Sequence, residues 1–119
     1  MAGVPKKHLT IPQGETYKYR FNWVDEAGVA IDNTTYTGAR MQIREYTEAT
    51  TTEASLTVGA GITLGGATGT IDIVIPAATT EAWTWTSGVY DLEMVIPGSP
   101  EDVTRAVEGR ITVTPEVTR

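Results

Sequence analysis

The segment Gly88-Val-Tyr-Asp-Leu-Glu-Met-Val-Ile96 and the one after it, Val103-Thr-Arg-Ala-Val-Glu-Gly-Arg-Ile-Thr-Val113, decide the fold class. In the first, Tyr90, Leu92, Met94 and Ile96 share one side while Asp91 and Glu93 take the other, the period of two that marks a half-buried strand. In the second, Val103, Val107, Ile111 and Val113 fall on one side, opposite Thr104, Glu108, Arg110 and Thr112. The intervening Pro97-Gly-Ser-Pro-Glu-Asp102 is polar and proline-bearing, so neither strand nor helix continues through it. A long β-hairpin results. Symmetric pairing about that loop sets Tyr90 opposite Gly109, where the ring covers a missing side chain. It also sets Asp91 against Glu108, a like-charge pair relieved by Arg110 on the diagonal or by a bulge near Gly109.

The same period recurs upstream. Leu9 and Ile11 alternate with His8 and Thr10 as a short first strand ending at Pro12. Thr16 to Trp23 is the strongest single strand, with Tyr17, Tyr19, Phe21 and Trp23 on one side and Lys18, Arg20 and Asn22 on the other. Four large rings on one side require a second sheet to cover them. Fully buried, they would contribute about 6 to 12 kcal/mol before the entropy of ordering is subtracted. Asp25 to Gly28 is a turn, Val29 and Ile31 lead into a polar break, and Ala39, Met41 and Ile43 mark a third core strand. Glu45 to Ala54 reads as a mobile loop. Leu56 and Val58 make a brief edge strand, and a glycine-bearing run from Gly59 to Gly69 carries Ile62 and Leu64. Ile71, Ile73 and Ile75 form a clean strand stopped by Pro76, and Ala77 to Ala82 fits one helical turn.

Short alternating strands about ten residues apart, separated by Gly and Pro turns, predict an all-β chain folded as an antiparallel two-sheet sandwich. The 119 residues suffice for one core, so the expected organisation is a single β-sandwich domain over 1–119, with 1–7 and 115–119 as extended terminal arms. With no cysteine, disulfides and thiolate chemistry are excluded. A net charge of -6, with no basic cluster beyond Lys6 and Lys7, argues against nucleic-acid binding. The N-terminus carries no apolar run, so neither a signal peptide nor a membrane partner is expected.

No residue pattern points to catalysis, a cofactor or a metal, and an enzyme is not expected. His8 is the sole histidine. Asp25-Glu26 and Glu101-Asp102 lie in turns, where acidic side chains bond their own backbone, and the oxygen-dense spacing of a calcium loop is absent. The glycines of Gly59 to Gly69 lack the Gly-Lys-Ser/Thr of a phosphate loop. Asn33-Thr34-Thr35 matches a glycosylation acceptor without a secretory context. Trp83 and Trp85 admit two readings. In an extended segment both face one way and could stack on a sugar or a partner protein, whereas on a helical turn they diverge and cap the end of the sandwich.

Read together, Leu9-Thr-Ile-Pro-Gln-Gly-Glu-Thr16, Phe21-Asn-Trp-Val-Asp-Glu-Ala-Gly-Val29, Tyr36-Thr-Gly-Ala-Arg-Met-Gln-Ile-Arg44 and Gly109-Arg-Ile-Thr-Val-Thr-Pro-Glu-Val-Thr-Arg119 resemble small structural proteins of tailed bacteriophages. Nearly the whole chain is similar to the immunoglobulin-like domain at the N-terminus of phage upper baseplate proteins. The resemblance implies an immunoglobulin-like sandwich in a virion assembled in the host cytoplasm. Its place would be the tail, neck or baseplate, its partners other virion proteins and copies of itself as a homo-oligomer. Fibre attachment belongs to the long C-terminal regions of the baseplate proteins, whereas this sequence stops at Arg119, so attachment to the particle is the safer implication. Candidate protein contacts are Val4, Pro5, Lys6, Lys7, Trp83, Trp85, Pro115, Val117 and Arg119. The rival readings are a capsid decoration or cement protein and, in another class, a carbohydrate-binding module built on Trp83 and Trp85.

Overall fold

Alternating segments become strands wherever their apolar side can be covered, and the computed structural model, which describes residues 4–118, shows eight of them. They are β1 (Leu9–Pro12), β2 (Tyr17–Asn22), β3 (Gly38–Arg44), β4 (Ala54–Val58), β5 (Gly61–Leu64), β6 (Thr70–Ile75), β7 (Ser87–Ile96) and β8 (Asp102–Thr114). One short helix, α1 (Ala77–Glu81), joins β6 to β7. The chain is all-β, as its alternation predicts. Its hydrogen bonding runs as one eight-stranded mixed sheet in the order β1-β8-β7-β3-β4-β5-β6-β2, nearly closed into a barrel. The pairs β1–β8 and β4–β5 are parallel, and the others antiparallel.

The inward positions are those that the period of two selects. Met41, Ile43, Ile71, Ile73, Ile75, Leu92, Met94 and Ile111 are fully buried and form one continuous core with Leu9 and Ile11. Val29 and Ile31 do not extend a strand. Only an isolated bridge joins Val24 to Ala30, and Val29 stays exposed. The glycine-bearing run contains a strand that its composition hides: Ile62 packs in the core, and β5 pairs with both β4 and β6. Gly59 and Gly61 both adopt positive φ there, which lets two residues reconnect parallel strands.

From Ser87 to Leu92 the β7–β8 hairpin has the expected register, with Tyr90 opposite Gly109 and Asp91 opposite Glu108, whereas beside the loop it is shifted by one residue, with Ile96 opposite Asp102. The bulge lies three residues from its expected position. Leu92 pairs with Val107 and Glu93 with Arg105, leaving Ala106 unmatched. One extra residue reverses parity, so Ala106 and Val107 are both buried while Val103 turns outward at 39% exposure. Arg105 rather than Arg110 relieves the acidic pair, reaching Asp91 at 3.6 Å and Glu108 at 2.9 Å.

Buried polar groups tie the ends together. The fully buried Thr80 of α1 donates from Oγ1 to the Glu15 carbonyl at 2.8 Å and accepts from the Gly14 N–H at 3.0 Å. Gln13 donates to the Trp83 carbonyl at 2.9 Å and accepts from the Glu116 N–H at 2.9 Å, anchoring the chain that leaves β8. Asn33 is buried, bonds the Thr70 carbonyl through Nδ2 at 3.3 Å, and has no room for a glycan.

Candidate functional site

A groove is built on the outer side of β8, β7 and β3, with the N-terminal segment as one wall. That wall exists because Gly109 has no side chain. A Cβ there would overlap the Lys7 carbonyl oxygen. Into this space the backbone of Pro5–Lys7 lies along β8: Lys7 N–H donates to the Glu108 carbonyl at 3.0 Å, and Glu108 N–H donates to the Pro5 carbonyl at 3.0 Å. The Tyr90 hydroxyl donates to the Lys7 carbonyl at 2.8 Å. Burial raises the Tyr90 phenol well above its ordinary range, with Tyr19 and Tyr17 adding to the effect, so it stays a donor at any physiological pH. Tyr90 thus holds the segment beside Gly109 by a hydrogen bond, in addition to lying opposite the missing side chain.

Between this wall and the segment after β3 lies a groove of about 680 Å³, lined on its floor by Gln42, Arg44, Val89, Asp91, Glu108 and Arg110. Strand register orders the floor. Arg44, Val89 and Arg110 form one row across β3, β7 and β8, and Gln42, Asp91 and Glu108 form the next. Lys6 approaches Glu108 at 3.8 Å, and Arg105 pairs with both Glu108 and Asp91. Those two cations balance the two acids. Arg44 and Arg110 are left without a carboxylate partner among the described residues. Arg44 is instead positioned by neutral oxygens, donating to the Ala49 carbonyl at 2.7 Å and to Gln42 Oε1 at 3.0 Å. The Lys7 ammonium leaves the groove and sits 5.9 Å from the Tyr19 ring. A local surplus of positive charge therefore stands on a chain of net charge -6.

Burial pushes the Asp91 carboxyl up, and Glu93 and Glu108 add to this while Arg105 and Arg40 oppose it. Elsewhere the acids behave as turn and ladder groups. Asp25 Oδ1 accepts from the Ala27 and Val29 N–H groups, and Asp32 is held low by hydrogen bonds from Thr34. Arg20 holds Asp72 low through a bidentate pair at 2.7 and 3.0 Å. His8 meets the Thr112 hydroxyl at 2.7 Å on the surface. No set of three or more His, Cys, Asp or Glu converges as a metal site among the described residues, and no helix there is long and apolar enough to cross a membrane.

The residues singled out in the sequence do not form one site. Val4 is half-buried, and Pro5, Lys6 and Lys7 are exposed along the groove wall or beside it. Pro115 and Val117 are exposed beyond β8, and Arg119 lies outside the described residues. Trp83 and Trp85 are buried, 4.7 Å apart between centroids and tilted at 42°. Trp83 donates to the Glu53 carbonyl at 3.1 Å. Their indoles belong to the core and offer no face to a sugar or a partner, which corrects their place among the contact candidates. Arg44, Arg105 and Arg110 were missed. Each reads as a solvated strand residue, and only the sheet order β3-β7-β8 reveals that they share a floor.

No protein-family model matches the chain, and no curated protein does. Among solved structures, a nucleoside hydrolase-related hypothetical protein from Saccharophagus degradans, associated with carbohydrate metabolism, is similar over 93% of this chain at 14% identity with a TM-score of 0.36. The match spans 22% of that protein's length, and a likeness this slight assigns neither fold nor activity.

Proposed function

We propose that the chain is an immunoglobulin-like β-sandwich of a tailed-bacteriophage particle, acting through protein–protein contacts in the tail, neck or baseplate. The observation that carries the reading is the strand order. β2 lies beside β6, and β3, β7 and β8 are consecutive neighbours, the arrangement of strands B–E and C–F–G in immunoglobulin domains. The two groups touch in the ladder only through β4 and β5, at the two positions Thr57–Gly61 and Val58–Ile62. On this reading that narrow junction is the boundary between two sheets of one continuous ladder, in keeping with the resemblance of the four quoted segments to phage structural proteins. A conserved-type disulfide framework is missing, since the chain has no cysteine. Packing around Met41 and Leu92 serves in its stead.

Particle incorporation also entails copies assembled as a homo-oligomer alongside other virion proteins, with neither nucleic acid nor membrane as partner. The test is direct: purify particles from a lysate of the host carrying the gene and search for the chain by mass spectrometry. Its stoichiometric presence supports the reading, and its absence from particles overturns it. Separating tails from heads before the measurement distinguishes the tail, neck or baseplate from a decoration or cement protein on the capsid. The carbohydrate-binding alternative relied on exposed indoles, and the burial of both Trp83 and Trp85 removes its support.

A further inference from the structure

We infer that the groove over β8, β7 and β3 is a docking site for an extended acidic segment of another protein, with Arg44 and Arg110 as its two carboxylate-binding residues. The inference deepens the assembly reading by naming a surface and the chemistry of its partner. Three observations converge. The groove is a concave part of the sheet's outer side, at about 680 Å³. Its internal acids, Asp91 and Glu108, are already matched by Arg105 and Lys6, so Arg44 and Arg110 carry charge that no carboxylate among the described residues neutralises. The two arginines flank the half-buried Val89 in one cross-strand row. Neighbouring strands are roughly 4.8 Å apart, so the Cα atoms of Arg44 and Arg110 stand about 10 Å from each other. Alternate side chains of an extended segment are roughly 7 Å apart, a difference of about 3 Å that the long Arg110 side chain can take up while Arg44 stays where Gln42 and the Ala49 carbonyl hold it.

Arginine suits this task because its planar fork binds a carboxylate through two parallel hydrogen bonds. Arg44 is already aimed by Gln42 and the Ala49 carbonyl, which lowers the ordering cost on binding. A polyphosphate backbone fits poorly. It presents continuous negative charge, and the floor keeps Asp91 and Glu108 beneath it, whereas discrete carboxylates straddle those acids. In an extended segment the residue between the two acidic ones points away from the floor, so the groove reads acidic residues at alternate positions and leaves the position between them open.

The experiment uses the full chain and a fluorescein-labelled peptide of alternating glutamate and valine, read by anisotropy at low and high salt. Binding at low salt that weakens with added salt is expected, as is a loss of roughly tenfold in the Arg44→Ala, Arg110→Ala double variant. The Arg110 side chain makes no hydrogen bond or ion pair among the described residues, and its ladder pairing with Val89 is made by the backbone, so the single Arg110→Ala variant, with an unchanged melting curve, is expected to lose several-fold on its own. Arg20→Ala, outside the groove, is the control and is expected to bind as the parent does. Three results overturn the inference: no binding at low salt, equal loss in the Arg20→Ala control, or tighter binding of a labelled oligonucleotide than of the peptide. Sedimentation of the chain alone adds a fourth, because self-association abolished by Arg110→Ala identifies a second copy as the occupant in place of another protein. Loss of peptide binding with the chain still present in particles would sink the groove and spare the assembly reading. The reverse pair of results would do the opposite.

Discussion

β7 and β2 carry the same pattern in sequence and meet different fates. β7 lies between β8 and β3, and its Leu92 and Met94 are completely buried. β2 ends the sheet, and its Tyr17 and Tyr19 are only partly buried, although Phe21 is buried and packs edge-on against Tyr19 with 4.8 Å between centroids. Period-two alternation therefore fixes which side of a strand faces inward. How deeply that side is covered depends on the neighbours that the rest of the chain supplies. The aromatic row contributes correspondingly less than the value of about 6 to 12 kcal/mol estimated for full burial.

That contrast can be broken at its deep end first. Leu92→Ala is expected to destabilise the fold by about 2–5 kcal/mol in urea titration, because the cavity it leaves is walled by Met41 across the β3 ladder and by Val107 across β8. Gly109→Ala comes next, at about 1–3 kcal/mol, since a methyl group there forces the Lys7 backbone off β8. Limited proteolysis near Pro5 would then become faster than in the parent. A Gly109→Ala protein with parental stability and parental cleavage would show that the N-terminal segment does not depend on this gap.

At the shallow end, Tyr19→Ala is expected to cost about 1–1.5 kcal/mol, well under the Leu92 value. A larger loss than at Leu92 would reverse the comparison. Tyr90→Phe removes one hydrogen bond to Lys7 and is expected to cost about 0.5–1.5 kcal/mol near neutral pH. Its pH dependence adds a second readout. The folded phenol titrates above the unfolded value of 10.0, so its contribution is complete below that value and declines as pH rises above it. In Tyr90→Phe this part of the alkaline loss should vanish. The smallest effect is expected at Asp91, whose carboxyl is raised in the fold by burial. The folded state then holds the proton more firmly than the unfolded chain, and stability falls as pH climbs from below the ordinary carboxylate range through the raised one. Asp91→Asn should be slightly more stable than the parent at about pH 7, with the gain fading in acid. A loss at neutral pH would mean that the contact with Arg105 outweighs burial.

Much of the framework was legible because side-chain alternation is a local property. Leu9, Met41, Ile73 and Leu92 announce their orientation through their immediate neighbours, and the presence of the hairpin follows from the turn residues between its two arms. The bulge at Ala106 was not legible. Whether an extra residue is absorbed at Gly109 or three positions earlier depends on what lies against each position, and the Lys7 backbone occupies the space beside Gly109. β5 was obscured for a related reason: Gly61 reads as a breaker, yet its positive φ is what lets the chain enter the strand. The groove stayed invisible because its floor gathers Arg44, Val89 and Arg110 from three strands.

The order of residues along the chain determined that this protein is built of strands, which side chains of each turn inward, and that its longest pair of strands is a hairpin. These depend on steric and hydrophobic preferences acting within a few residues. Tertiary structure alone decided which strand became an edge, that Trp83 and Trp85 went into the core, and that two arginines 66 positions apart stand on either side of one valine. Those outcomes depend on which distant segments come to lie side by side, and no local pattern carries that information.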